Sequence, residues 1–236
     1  MRTVTMDQLF RKIRKTAVVA AGCLLSLSVA TASATEPGIQ YRVTITNITK
    51  GQTFTPQLMV THRDQVALFT SGQAASAGLE ILAEDGNPAT LAAEVQQRVG
   101  STVTIPGLLA PGRSVSTVVS PRWGQTHLSI AAKLIPTNDA FMAVNTVRLP
   151  VAGQKIVRAV AYDAGTEAND QNCWNIPGPR CGGVGHSPGS NPGEEGFVHV
   201  SNGFHDLAPD VGGDVLSPFV DDWRNPVAVI RVQRIH

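Results

Sequence analysis

The chain has 236 residues, of which 19 are basic and 18 acidic, so its formal net charge is +1. The acidic residues are unevenly placed, because residues 139–222 contain 11 acidic residues and only four basic ones. A protein that binds nucleic acid needs a basic face. The charge pattern therefore argues against a nucleic acid partner and favours an edge that binds cations.

The first 34 residues have the features of a signal peptide. Four basic residues at positions 11–15 precede an apolar run at positions 17–30, and Ala32-Ser33-Ala34 follows as a cleavage site. The apolar run is shorter than the roughly 20 residues that a membrane span requires, and no later stretch qualifies. An alternative is a lipoprotein modified at Cys23. We predict cleavage near Thr35, export to the periplasm or the extracellular space, and no transmembrane segment in the mature chain.

The mature chain, residues 35–236, is predicted to form one domain. Cleavage removes five basic residues and one acidic residue, which leaves a net charge of −3. We see no linker or internal repeat that would divide it. About 200 residues suit one β-rich domain.

Short strands dominate the pattern along the mature chain. Residues 41–47 alternate apolar and polar side chains, which is typical of a half-buried strand. Residues 76–83 and 89–99 are rich in Ala, Leu and Glu and predict two helices, separated by a break at Asp85-Gly86-Asn87-Pro88. The other predicted strands are residues 57–62, 66–70, 101–105, 114–119, 127–134, 143–149, 156–162, 197–202 and 227–235. Many short strands at this spacing favour a mainly all-β fold, an antiparallel sandwich with a short helical insertion.

A loop of more than 30 residues, from position 163 to about 196, contains both cysteines of the mature chain, Cys173 and Cys181. Loops of this length are unusual in a compact domain and are often functional or tied down. Export permits a disulfide, and the close spacing of the two residues in one Gly/Pro-rich segment favours one. The alternative is a pair of free thiols.

Three carboxylates lie in two turn-like segments. Asp139 belongs to the segment Asn138-Asp139-Ala140-Phe141, while Asp163 and Glu167 flank Ala164-Gly165-Thr166. Hard oxygen ligands from carboxylates, together with carbonyl groups and water, are what Ca²⁺ prefers. The alternative is a turn in which the aspartate side chain bonds its own backbone.

These segments also resemble motifs of the spondin domain, the N-terminal module of the F-spondin group of extracellular matrix proteins. Residues 138–141 are similar to its P-D-W-F motif, and residues 163–167 to its D-A-G-T-D motif. Residues 41–47, 77–88 and 222–228 resemble further segments of the family in the same order. The chain departs from the pattern at Ala140, where the family has Trp, and at Glu167, where it has Asp.

The resemblance implies a C2-like β-sandwich whose metal ligands fall on Asp139, Asp163 and Glu167. It also implies an adhesive or interactive role, with an unidentified protein or glycan partner at the cell surface or in the extracellular matrix. On this basis we expect a calcium-binding domain that is not an enzyme.

Two alternatives remain. The first is a secreted hydrolase that uses His199, His205 and Asp206, although no nucleophile lies in a suitable motif. The second is a structural envelope protein without metal. His199 and His205 could also form a transition-metal site with Glu195, against the simpler expectation of hydrogen-bonded structural histidines.

Overall fold

The structure is a computed structural model that describes residues 38–99, 101–186, 192–204 and 214–236. The predicted signal peptide, residues 1–34, lies outside the described residues. Within the described ranges, none of the helices has the length and apolar character needed to cross a membrane.

The described residues form ten strands and three helices. The strands are β1 (Tyr41–Asn47), β2 (Thr53–Phe54), β3 (Gln57–His62), β4 (Ser101–Ile105), β5 (Ser114–Val119), β6 (His127–Ile135), β7 (Ala140–Arg148), β8 (Gln154–Asp163), β9 (His199–Val200) and β10 (Ala228–Arg234). The helices are α1 (Ala77–Asp85), α2 (Ala89–Val99) and α3 (Pro218–Asp221), with a short 3-10 turn at Cys173–Asn175.

The strands pair in the order β4-β3-β6-β7-β8-β10-β1-β5, while β2 pairs with β6 and β9 with β8. All of these pairings are antiparallel. Strand β8 is shared between two halves of the sandwich, because its first residues pair with β10 and its last residues pair with β7. The predicted all-β antiparallel fold with a short helical insertion is confirmed.

The main core fills the space between the two halves. Inward-facing residues of β1 and β10, such as Val43, Ile45 and Ile230, belong to one cluster with Ile130 and Met142 of β6 and β7. Strand β1 shows the predicted alternation of buried and less buried positions. Burial of apolar side chains on this scale is the main force that holds such a sandwich together.

The helical insertion covers the outer face of β3, β6 and β7 and creates a second core. Leu79 and Leu82 of α1 and Leu91 of α2 pack in one cluster with Leu58 and Phe141 from the strands below. This explains why β3 is buried at every position, with the sandwich on one face and the helices on the other.

Helix α1 begins and ends at recognisable caps. The Ser76 hydroxyl accepts a hydrogen bond from the Leu79 amide at 3.2 Å, which satisfies one free amide of the first turn. Gly86 ends the helix with a φ of +74°, and a side chain there would lie 2.5 Å from a methyl carbon of Thr55. Glycine at this position therefore lets the helix end close to the sheet.

Two of the predicted strands differ from the structure. Residues 66–70 form no strand, because side chains bind their backbone in place of a neighbouring strand. The Asn145 side chain accepts from the Leu68 amide and donates to the Phe69 carbonyl, at 3.0 and 2.8 Å. The strand predicted at residues 197–202 is only the two-residue β9.

Candidate metal site

The three predicted carboxylates lie at one end of the sandwich, formed by residues 136–139 and 163–167 and called here the carboxylate end. Asp139 is fully buried in the turn between β6 and β7. Its Oδ2 atom accepts hydrogen bonds from the amides of Thr166 and Glu167, at 2.8 and 3.2 Å. Its Oδ1 atom is buried and has no hydrogen-bond partner among the described residues. Asp139 therefore ties the two turns together and keeps one oxygen available.

Asp163 ends β8 and begins the second turn. Its Oδ1 atom accepts from the Gly165 amide at 2.9 Å, and its Oδ2 atom accepts from the Asn169 side-chain amide at 3.0 Å. Gly165 has a φ of +68°, and a side chain there would lie 2.4 Å from the Phe197 carbonyl oxygen. Only glycine permits this backbone to approach the segment before β9 so closely.

Glu167 is 5% exposed, and its Oε2 atom is also buried without a partner among the described residues. Burial raises the pKa of Glu167 to about 8, against the opposing effect of Lys133. Burial likewise raises the pKa of Asp139 to about 7, with a further contribution from the nearby Asp163. Both carboxylates therefore lack part of the compensation that a buried negative charge needs.

A buried lysine supplies some of that compensation. The Lys133 ammonium is fully buried and donates to the carbonyl oxygens of Ala83 and Thr137, at 2.6 and 2.9 Å, and to that of Asn138. Burial lowers the pKa of Lys133 to about 8, although the charges of Glu167 and Asp139 oppose that shift. Sequence reasoning missed this residue. The available signal was a single charged side chain within the apolar run of β6.

The structure does not draw the three predicted carboxylates into one tight set. No choice of one oxygen from each brings Asp139, Asp163 and Glu167 all within 4.8 Å of one another. Asp139, Asp163 and Glu167 supply the carboxylate oxygens that would hold a calcium ion, which prefers oxygen ligands.

Two other groups of donor atoms within the described part of the chain do meet that distance. One consists of Asp163, Glu195 and His199, and the other of Glu80, Glu84 and His186. The second group joins helix α1 to the long loop, where His186 Nδ1 lies 2.9 Å from Glu84 Oε2 and 3.6 Å from Glu80 Oε1.

The remaining predicted histidine site is only partly described. His205 and Asp206 lie outside the described residues, so the predicted hydrolase set is represented by His199 alone. The site that combined both histidines with Glu195 is likewise represented by Glu195 and His199. These combinations stay hypotheses.

The predicted disulfide is confirmed. Cys173 and Cys181 are bonded within the long loop, with their Cα atoms 4.7 Å apart. The Cys173 amide donates to the Asp214 carbonyl at 2.9 Å, which attaches the bridged segment to the chain before α3. Ile176, Leu216 and Cys173 form a small separate apolar cluster beneath it.

The fold and the acidic end define a class of antiparallel β-sandwich domains with buried carboxylates in two facing turns. The family model Spondin_N matches residues 45–171, which is more than half of the chain, and the chain belongs to this family. The match includes the turns that hold Asp139, Asp163 and Glu167. No curated protein matches the chain.

Membership in this family has general consequences. Spondin domains are extracellular or secreted, and the disulfide is consistent with export. The family is in general non-enzymatic and of the interaction type.

Proposed function

We propose that this protein is an exported interaction domain whose carboxylate end binds one Ca²⁺ through Asp139, Asp163 and Glu167. Its role is adhesive, toward a protein or glycan at the cell surface or in the extracellular matrix. The family supports an extracellular, interaction-type protein. The calcium site is supported by the chemistry of the buried side chains themselves.

The observation that carries the proposal is a pair of buried carboxylate oxygens, Asp139 Oδ1 and Glu167 Oε2, which have no hydrogen-bond partner in the described ranges. A buried acceptor that receives no hydrogen bond costs about 1–3 kcal/mol, and more when it is charged. A cation removes that cost and also offsets the burial that raises the pKa of both groups.

The local charge also fits a divalent ion. Asp139, Asp163 and Glu167 carry three negative charges when ionised, and Lys133 returns one positive charge. The remaining charge is negative, and the nearby Glu84 and Asp170 add to it, which favours a cation at this end. The ion would join the turn between β6 and β7 to the turn after β8 and fix the start of the long loop.

The test is thermal unfolding with calcium and with chelator. A ligand that binds only the native state adds about 2.7 kcal/mol of stability at a hundredfold excess over Kd. We expect wild type to melt higher in calcium, and Asp139→Asn and Asp163→Asn each to lose most of that rise. The matched control is Asp214→Asn, because Asp214 is exposed and pairs with Arg180.

Equal melting temperatures of wild type in calcium and in chelator would contradict the calcium site and leave a metal-free structural protein. The interaction role has its own test. Wild type and Asp139→Asn are applied to native cell surfaces in calcium and in chelator. Calcium-dependent retention of wild type alone supports adhesion through the ordered carboxylate end, and no retention of either contradicts it.

A further inference from the structure

His199 lies directly opposite Asp163 in the antiparallel pairing of β8 with β9. Residues opposite each other in such a pair project from the same face of the sheet. His199 Nε2 is 3.5 Å from Asp163 Oδ1, and the Asp163 side chain is only 3% exposed. A carboxylate oxygen of Glu195 completes a group of three donor atoms within 4.8 Å of one another.

The contact made by Nδ1 of His199 shows that Nε2 is the nitrogen whose lone pair faces the two carboxylates. Nδ1 lies 3.1 Å from the Val200 carbonyl oxygen, which can only accept a hydrogen bond. Nδ1 therefore carries a proton, and in the neutral ring Nε2 holds the free lone pair. Histidines that bind metals commonly donate their other N–H to a backbone carbonyl in this way.

Nε2 itself is buried and has no hydrogen-bond partner among the described residues. Its nearest charged neighbour is the Asp163 carboxylate, which is also an acceptor. In the neutral ring, two lone pairs thus face each other inside the protein. A cation between them satisfies both, whereas without one the nitrogen bears the cost of an unmet buried acceptor.

The two carboxylates, Asp163 and Glu195, are held in place by neighbouring groups. The Asn169 side-chain amide donates to Asp163 Oδ2 at 3.0 Å and to Glu195 Oε1 at 3.2 Å, and so bridges them. The amide of Gly196 donates to the carbonyl of Gly165 at 2.8 Å, which keeps the segment carrying Glu195 against the turn after Asp163.

We propose that Asp163, Glu195 and His199 bind one Zn²⁺. An imidazole nitrogen with two carboxylate oxygens is a ligand set that suits zinc, with a fourth position for water. Calcium takes oxygen ligands and has no use for the nitrogen. This site shares Asp163 with the proposed calcium site, but its other two ligands, Glu195 and His199, are separate, and the proposal does not rest on calcium binding.

The group of Glu80, Glu84 and His186 has the same composition and provides the contrast. There the ring nitrogen that faces both carboxylates is Nδ1, and it forms a 2.9 Å hydrogen bond with Glu84 Oε2. A proton already occupies the place that a metal would take. His186 is therefore the matched control for His199.

The experiment is calorimetric titration of the purified protein with Zn²⁺ in the presence of excess Ca²⁺. We expect one saturable site in wild type. His199→Gln and Glu195→Gln should each weaken zinc binding by about tenfold or more, as loss of even a supporting group at a metal site costs that much. His186→Gln and Asp139→Asn should leave zinc binding unchanged.

Calcium binding distinguishes the two proposals. Asp139→Asn should lose calcium and keep zinc, His199→Gln should lose zinc and keep calcium, and Asp163→Asn should lose both. Glu195 is exposed, so its variant remains informative if the His199 variant fails to fold. Nitrogen NMR of the ring gives an independent readout, because zinc should shift the His199 Nε2 resonance and leave His186 unaffected.

Zinc uptake that survives both His199→Gln and Glu195→Gln, or is abolished by His186→Gln, would place the ion elsewhere and overturn the assignment. So would a wild type that takes up no zinc.

Discussion

At the carboxylate end, the titratable side chains of Lys133, Asp139 and Glu167 are buried together, and two carboxylate oxygens there have no partner among the described residues. At the opposite end of the same strands, His62 is equally buried. Its Nδ1 lies 2.6 Å from the Arg63 carbonyl oxygen and its Nε2 lies 2.8 Å from the Ser129 hydroxyl.

The comparison shows two ways to bury a titratable side chain. His62 is accommodated as a neutral ring with both nitrogens satisfied, and burial lowers its pKa. The carboxylate end instead keeps opposite charges together and compensates them incompletely. Only the second arrangement leaves buried carboxylate oxygens without a partner among the described residues, which is why we place the proposed ions at that end.

The largest effect should come from Lys133→Met, which keeps the length of the side chain and removes its charge. Three carbonyl groups lose their donor and two buried carboxylates lose their counter-charge. Removal of one partner from a buried charged network costs about 3–5 kcal/mol of unfolding free energy. Urea denaturation of wild type and Lys133→Met measures this loss of unfolding free energy.

The control for that substitution is Lys155→Met, because Lys155 lies at the opposite end and is exposed. It should leave the unfolding free energy unchanged. A Lys133→Met variant as stable as wild type would show that burial at the carboxylate end does not depend on paired charge, and the contrast between the two ends would disappear.

The next largest effect concerns the loop that leaves the carboxylate end. Replacing Cys173 and Cys181 with serine removes a cross-link between residues eight apart. The unfolded chain then gains freedom worth about 2–3 kcal/mol. Urea denaturation should show this loss, and wild type in reductant should reproduce it. Two alkylatable thiols in the native, unreduced protein would disprove the bridge.

The next prediction concerns His62, at the opposite end, and the change of unfolding free energy with pH. We expect this effect to be smaller. Because the pKa of folded His62 is lowered, the folded state takes up a proton less readily than the unfolded state. Stability conferred by the neutral ring is present above the unfolded pKa of about 6.5 and is lost as the pH falls below it. Unfolding free energies of wild type and His62→Asn should therefore converge between pH 7 and pH 5.5. If the difference in unfolding free energy between wild type and His62→Asn stayed constant with pH, the pKa of His62 would be the same in the folded and unfolded states.

The smallest effect should come from Trp123→Ala at the same opposite end. Trp123 is 93% exposed, so its removal takes away almost no buried surface. Substitutions at such surface positions change stability little. Equal urea midpoints for wild type and variant are expected, whereas a clear loss would show that the indole packs against the protein in solution.

The sheet and both helices could be predicted because their apolar patterns repeat locally. Strand β1 and helix α2 have the predicted bounds, since alternation and helix-forming composition decide such segments. The segment at 66–70 could not be predicted correctly. Its backbone partners belong to Asn145 and Thr146, which are more than 70 residues away in the chain.

In the candidate site, too, the features set by local sequence could be predicted and those set by distant residues could not. The motif at 163–167 predicted carboxylates in a turn, because Asp and Gly have local reasons to occupy turn positions. The pairing of Asp163 with His199 depends on the register of a two-residue strand 36 positions later, which no local pattern specifies. Lys133 was missed because a buried lysine contradicts the usual preference of its type.

The position of β10 has a consequence for how the chain matures. The last strand along the sequence lies in the interior of the sheet, between β1 and β8, and joins Tyr41 to Arg234. Contacts between such distant residues are slow to form. The two halves of the sandwich cannot close until the final strand is available, so a partly synthesised or partly translocated chain stays open. That delay is compatible with the extracellular or secreted character of this family, because an open chain is more easily translocated than a folded one.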